Sequence, residues 1–327
     1  MRYRLAIIGC GAVFSQFQLP ALKKLNKIPY LFCDTNIASA KKYAKKYNGE
    51  WSDNYLNHLD YFDMAILSVP HYLHCKIGVE LLMNKKHLFI EKPLANTLTE
   101  CDQIIKAKDI NNKVVSVGLL RRYLDGTNWL KGLLNSGDLG DIVDFNFREG
   151  GIYSWPVETD SFWKRETAGG GVLMDTGAHT LDQMIYWLGD VNLIEYIDNS
   201  YGGVESDCFI KLITTSGAQG SVELSRTRNI GSYAIIKGKN ASVKIGLVDN
   251  SIVTDPPELA LEKYNGLIGK SCKPQSYVSL FKRQLDVWYD SIINDSENYI
   301  SANSAKISVA LIEKCYQNRR PWSMSWV

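Results

Sequence analysis

Tyr3-Arg4-Leu5-Ala6-Ile7-Ile8-Gly9-Cys10-Gly11-Ala12-Val13-Phe14 is the stretch on which the fold turns. An apolar run that stops at glycine reads as a parallel strand buried on both faces. Glycines at that point let the chain turn tightly and bring backbone N–H groups close to a pyrophosphate at the start of a helix. Gly9, Gly11, Ala12 and Val13 supply that turn, and Phe14 stands where the fingerprint has its third glycine. Asp34 closes the next apolar run, where a carboxylate accepts the hydroxyls of an adenosine ribose and repels a 2′-phosphate. The ligand expected from these residues is NAD, with NADP less favoured.

Working outward, strand and helix signals alternate. Residues 12–25 read as a helix, 30–33 as a strand, 37–47 as a helix, 64–69 as a strand and 74–84 as a helix. Then come a strand at 87–90, a helix opened by the capping box Thr97-Leu98-Thr99-Glu100, and a strand at 114–117. This pitch implies a parallel sheet with helices on both faces, a Rossmann domain over residues 1–121. Beyond it the pattern changes. Helices are expected at 125–135 and 171–188, strands at 208–214, 219–226, 233–237 and 242–245, and helices again at 276–293 and 302–316. Residues 122–327 therefore read as an α+β domain with a large, mostly antiparallel sheet, the final helix packing back on the first domain.

Composition narrows the class. The 327 residues are 45% hydrophobic and 22% charged, the profile of a globular chain. The net charge is +2 and the 37 basic residues look scattered, so neither nucleic acid nor a membrane surface is an expected partner. No apolar run approaches the ~18 residues of a membrane span. The seven cysteines are odd in number and contain no CxxC, which reads as reduced thiols in a cytoplasmic protein.

Three further motifs carry chemistry. Ser68-Val69-Pro70-His71-Tyr72-Leu73-His74 follows the third strand, at the sheet edge where ligands of such folds bind. Glu91-Lys92-Pro93 follows the fourth, and the Lys92 ammonium there is placed to stabilise a developing alkoxide. On its own, each also reads as an ordinary surface loop. The strongest signal is Gly169-Gly170-Gly171-Val172-Leu173-Met174-Asp175-Thr176-Gly177-Ala178-His179-Thr180-Leu181-Asp182. Asp175 and His179 are one helical turn apart and share a face with Asp182, an arrangement suited to acid–base work because histidine titrates near neutrality. Gly177 costs a helix interior about 1 kcal/mol, which implies a close neighbour. No third and fourth ligand stand at helical spacing, so no metal site is expected.

Taken together, the motifs resemble the Gfo/Idh/MocA oxidoreductases, the group of glucose–fructose oxidoreductase and myo-inositol dehydrogenase. The likeness runs through IIGCGAV, AILSVPHYLHCKIGVELLMNKKHLFIEKPLA, VGLLRRY with SGDLGDI, and FWKRETAGGGVLMDTGAHTLDQMIYWLG. It implies NAD across the first domain's crevice and a sugar, sugar derivative or cyclitol against the second domain's sheet. It implies Lys92, Asp175 and His179 as catalytic residues. Pro70 and Glu91 would line the nicotinamide side, with Ser68, Val69, His71, His74 and Trp163 near the cofactor. Arg122 and Tyr153 would be substrate-side residues, the specificity loop being 150–165. His71 stands where the family commonly has Asn, and Lys164 where it has Arg after Trp163. A dehydrogenase of a non-sugar substrate, an NAD-dependent glycosidase and a cofactor-sensing regulator are the alternatives. A homodimer or homotetramer is expected, because a large open sheet needs its second face covered.

Overall fold

A computed structural model describes residues 3–154, 162–257, 259 and 275–322. The first sheet has six parallel strands: β1 (Leu5–Ile8), β2 (Leu31–Cys33), β3 (Glu50–Ser52), β4 (Met64–Leu67), β5 (His87–Ile90) and β6 (Val115–Val117). Their order is β3-β2-β1-β4-β5-β6, so the direction of winding reverses between β1 and β4. That switch point is where such sheets bind ligands, beyond the carboxyl ends of the strands. Every residue of β1, β2 and β4 is buried, as the unbroken apolar runs require.

The helices start and stop where local chemistry dictates. Asn36 caps α2 (Ile37–Tyr47) through the Ser39 N–H, and both halves of the Thr97/Glu100 capping box are formed at α4 (Leu98–Ile110). Between them lies α3 (His74–Met83). The helix after the glycine turn departs from expectation. It passes through a π-turn at Phe14–Gln18 before α1 (Leu19–Lys24). A glycine at the third fingerprint position would let helix and strand lie close; Phe14 instead fills that gap, fully buried against Phe32 and Tyr43.

The second sheet is mixed. It comprises β7 (Ile142–Gly150), β8 (Val191–Asp198), β9 (Asp207–Thr214), β10 (Gln219–Ser225), β11 (Gly231–Gly238), β12 (Ser242–Gly246), β13 (Ile252–Asp255) and β14 (Arg319–Pro321). The order is β13-β12-β11-β7-β10-β9-β8-β14, antiparallel except for β7 beside β10 and β8 beside β14. On its buried face lie α5 (Asp125–Ser136) and α7 (Val172–Leu188), with the short α6 (Arg165–Ala168) leading into α7.

The last two helices bridge the cores. Leu280, Phe281, Leu285 and Trp288 of α8 (Tyr277–Ile293) belong to the apolar core of the first sheet. In α9 (Ala302–Gln317), Ala302, Ala305 and Val309 join that core, while Leu311, Ile312 and Cys315 join the core of the second sheet.

Candidate active site

The glycine turn has the shape a pyrophosphate needs. Gly9 has φ +96°, and a Cβ there would lie 2.2 Å from the Ser68 carbonyl oxygen. Asp34 closes over the turn. Its carboxylate accepts the Cys10 N–H at 2.6 Å and the Asn36 N–H at 2.7 Å. A glycine turn at the end of β1 and a carboxylate at the end of β2 are the groups a dinucleotide takes in such a fold, so these residues fit one.

At the ends of β4 and β5 the loops are tied together from within. Gln18, fully buried, donates to Ser68 Oγ at 2.8 Å and to Glu91 Oε1 at 2.6 Å. The π-turn places it there, and nothing in the sequence pattern marked it. Burial pushes the Glu91 carboxyl up to about 7. His74 is also fully buried, its ring between the Pro93 carbonyl at 2.8 Å and the Val69 carbonyl at 3.0 Å. The sequence reading put His74 at the cofactor. The ring is instead a strut joining the Val69-Pro70 loop to the Lys92-Pro93 turn, with no surface left for a ligand. Phe14 is corrected likewise: its side chain belongs to the core, and only its backbone follows the turn. His71 lies beside the cleft, 3.3 Å from the Ala168 carbonyl.

Three glycines set the start of α7. Gly169 has φ +77° and lies against Asn96; a Cβ on Gly170 would sit 1.9 Å from the Tyr316 hydroxyl, and one on Gly171 would sit 1.9 Å from the Glu205 carbonyl. No side chain of the helix's own first turn caps it. Glu205 does so from a distant loop. Its Oε1 accepts the N–H groups of Gly171 and Leu173 at 2.9 Å each and the Tyr316 hydroxyl at 2.8 Å. A buried carboxylate at a helix N-terminus satisfies its orphan donors and its dipole together. Further along, Gly177 lies where a Cβ would meet Leu224 of β10 at 2.8 Å, the close packing its helical cost implied.

This framework brings α7 to Lys92. The Lys92 ammonium donates to Asp175 Oδ1 at 2.5 Å and to the Asp175 carbonyl at 3.1 Å, across the two domains. Arg226, just past β10, donates to Asp175 Oδ2 at 2.8 Å. Burial alone would raise the Asp175 carboxyl; Lys92 and Arg226 overcome that and hold it well below the usual carboxylate range. His179 is half-buried one turn on. Burial, with Arg121 and Lys92 nearby, holds its ring well below the ordinary value, so it is neutral and able to take a proton. Its buried Nδ1 has no hydrogen-bond partner among the described residues. The cleft thus contains a cationic donor, a fixed carboxylate and a neutral imidazole.

Arg121 and Arg122 tie the segment after β6 to β7 and α7. Arg121 makes a two-pronged pair with Glu149 of β7, at 2.7 and 2.6 Å, and Thr180 donates to the same carboxylate. Arg122, expected on the substrate side, makes the same kind of pair with Asp182 of α7, at 2.9 and 2.5 Å, and is 6% exposed. Its guanidinium is spent in that buried pair. Tyr153, Phe162 and Trp163 form an aromatic cluster at the cleft; the rest of the expected loop, 155–161, lies outside the described residues. Arg226 and Arg121 escaped sequence reading. Neither stands at a spacing that relates it to Asp175 or His179, and only the sheet brings them near.

The buried histidines imply an acid weakness. Burial is the main cause that lowers His71, to about 3, His87, to about 4, and His179. Their folded values lie below the unfolded 6.5, so the unfolded chain binds more protons below that pH. Each therefore costs about 1.4 kcal/mol of stability per pH unit as pH falls below 6.5. Glu91, raised in the fold, returns stability between about 7 and its unfolded value near 4.5. His74 is lowered too, and Asp182 and Glu205 are raised by burial as Glu91 is; with four lowered rings against three raised carboxyls, urea midpoints fall between pH 6.5 and 5, and a midpoint that rose would mean the rings charge within the fold.

The residues 3–119 match a model described as "Oxidoreductase family, NAD-binding Rossmann fold", and 131–324 match that family's C-terminal alpha/beta domain. The chain belongs to the Gfo/Idh/MocA oxidoreductase family. Among curated relatives, the glucose-6-phosphate 3-dehydrogenase of Bacillus subtilis is 23% identical, with 99% of each chain covered. The 2,7-anhydro-N-acetylneuraminate hydratase of Escherichia coli is 24% identical over 58% of this chain, which spans about half (53%) of that relative. Among solved structures, the WlbA dehydrogenase of Bordetella pertussis, in complex with NADH and UDP-GlcNAcA, superposes with a TM-score of 0.84 at 17% identity, covering 97% of this chain and 95% of the other. The two-domain fold is therefore shared with this enzyme.

Proposed function

We propose that the chain is an NAD-dependent dehydrogenase acting reversibly on a secondary hydroxyl of a sugar, a sugar derivative such as a nucleotide sugar, or a cyclitol. The observation that carries this reading is the meeting of Lys92, Asp175 and neutral His179 between the glycine turn's domain and the second sheet. When bound, NAD supplies the hydride acceptor; Gly9, Gly11, Ala12, Val13 and Asp34 hold its phosphates and ribose, and Ser68, Pro70 and Glu91 its nicotinamide side. His179 takes the hydroxyl proton. Lys92 donates a hydrogen bond to the same oxygen and steadies its charge, and Asp175 fixes the direction of the ammonium. The aromatic cluster of Tyr153, Phe162 and Trp163 offers a sugar-stacking wall.

The experiment is NADH formation from NAD across a panel of free hexoses, hexose phosphates, inositols and nucleotide sugars. Growth of NADH absorbance in step with ketone is the expected result. A chain that binds NADH but oxidises no member of the panel would overturn the substrate class. The hydratase relative favours a second reading, in which substrate changes without net NADH; chromatography of the same reactions tells the two apart. The proposal includes a homodimer or homotetramer through the open face of the second sheet, where Phe209, Ile213, Tyr233 and Ile235 are only half-buried. It also includes a cytoplasmic location, which suits the buried free thiols Cys10, Cys33, Cys75, Cys101, Cys208 and Cys315.

A further inference from the structure

Arg226 lies at the meeting point of two features that are otherwise separate. One is the pair of Lys92 and Asp175. The other is the aromatic cluster at the cleft, where the rings of Tyr153 and Phe162 stack at 5.4 Å. The Arg226 guanidinium carbon lies 4.9 Å from the centre of the Tyr153 ring and 4.6 Å from that of Phe162. Its Nη2 reaches Asp175, its backbone N–H donates to the Ser206 carbonyl, and its carbonyl accepts the Tyr153 N–H at 3.0 Å. Its Nε is buried with no partner among the described residues. A guanidinium held with one donor unsatisfied is not there for hydrogen bonding alone; the stacking and the single bond to Asp175 decide its place.

We propose that Arg226 is a positioning residue that shares the charge of Asp175 with Lys92, and that the Tyr153–Phe162 stack sets how much of that charge it takes. The proposal rests on the reading of Lys92 as the group that meets substrate. The physical reason is an accounting of one carboxylate. Asp175 Oδ1 holds Lys92 and Asp175 Oδ2 holds Arg226. With Lys92 as its sole partner, the carboxylate would grip the ammonium against any incoming hydroxyl. Arg226 keeps the carboxylate paired when Lys92 turns to substrate, which lowers the cost of that turn. Rings that fix the guanidinium plane, and themselves line the cleft, make the release depend on what occupies the cleft. The charged and titratable groups around Lys92 and Asp175 are His179 from α7, His71 from the turn before α3, His74 at its start, Glu91 beside Lys92, and Arg226 with Tyr153 from the second domain.

The test reads Lys92 itself and needs no substrate. The protein is reductively methylated with ¹³C, the Lys92 signal is assigned by its loss in Lys92→Arg, and its chemical shift is read by NMR at one fixed pH. Arg226→Gln leaves the Asp175 carboxylate to Lys92 alone and displaces the Lys92 signal from its wild-type position. Arg226→Lys, which keeps the charge, returns it toward that position. Phe162→Leu, which changes neither Lys92 nor Asp175, displaces it in the same direction by less, and keeps the test open if Arg226→Gln fails to fold. NADH binding by fluorescence stays at the wild-type level in Arg226→Gln, Arg226→Lys and Phe162→Leu. A Lys92 signal unmoved in Arg226→Gln, or unmoved in Phe162→Leu where Arg226→Gln does not fold, overturns the proposal. Loss of NADH binding in the wild type would instead overturn the dehydrogenase reading and leave the NMR result standing.

Discussion

Lys92→Met lowers kcat by about a hundred- to ten-thousandfold, the range for losing one positioned donor or acid–base group. The fold survives the change. Asp175 keeps its bond to Arg226 at 2.8 Å, so no buried carboxylate is left without a cation. NADH affinity stays close to wild type, because the glycine turn and Asp34 are formed by β1, β2 and the loop after β4, none of which leans on the Lys92 side chain. KM rises little, since a hydrogen bond that strengthens as charge develops on the oxygen acts mainly on the transition state. His179→Ala gives a loss of similar size. The double variant is no slower than the slower single one, because the two groups act on one oxygen and each is of little use without the other. Steady-state rates for the four proteins decide the matter. Losses that multiply would place Lys92 and His179 at separate steps. A Lys92→Met protein with near-normal turnover would remove the lysine from the chemistry altogether.

The residues that announce this site are those whose local pattern is unusual. An apolar run ended by two glycines has few uses, and it placed β1, the turn and the crevice correctly. The runs at β2, β4, β5 and β6 are all parallel strands, buried but for His87 at the start of β5, and each found within two residues. The strands that escaped are β3, β7, β8, β13 and β14. In β8, Asn192 and Ile194 are both exposed and register slips between Leu193 and Glu195, so no clean alternation survives to be read. In β7, Val143 and Asp144 are exposed side by side for a related reason, at the strand's outer end. The glycines of α7 were legible as a cost, but the groups that require them were not. Tyr316 and Glu205 come from the far end of the chain and from a loop, and only tertiary structure brings them to Gly170 and Gly171. The same holds for Arg226. Its neighbours in sequence give it no role, and its meaning lies in Asp175, Tyr153 and Phe162.

Arg122 is where local reading and structure part most clearly, and the difference is measurable. Asp182→Ala destabilises the protein by about 3–5 kcal/mol, because it leaves the Arg122 guanidinium buried without its carboxylate. Arg122→Ala costs a similar amount from the other side, stranding Asp182, which is 2% exposed. Urea unfolding gives both numbers. Changing the two together to apolar residues of similar size, Arg122→Met with Asp182→Leu, restores most of the loss, since an ion pair taken out of water gains little over good apolar packing once both charges are gone. A substrate-binding arginine behaves in the opposite way: its removal raises KM sharply, costs little stability, and is not repaired by a second change on α7. Arg122 and Asp182 also join the segment after β6 to the helix that carries Asp175 and His179. The double variant therefore separates two uses of the pair. Full recovery of stability with full recovery of turnover makes it a replaceable fastener. Recovery of stability with turnover still depressed shows that the polar pair, by fixing the angle of α7, sets the distance at which His179 meets the oxygen that Lys92 holds.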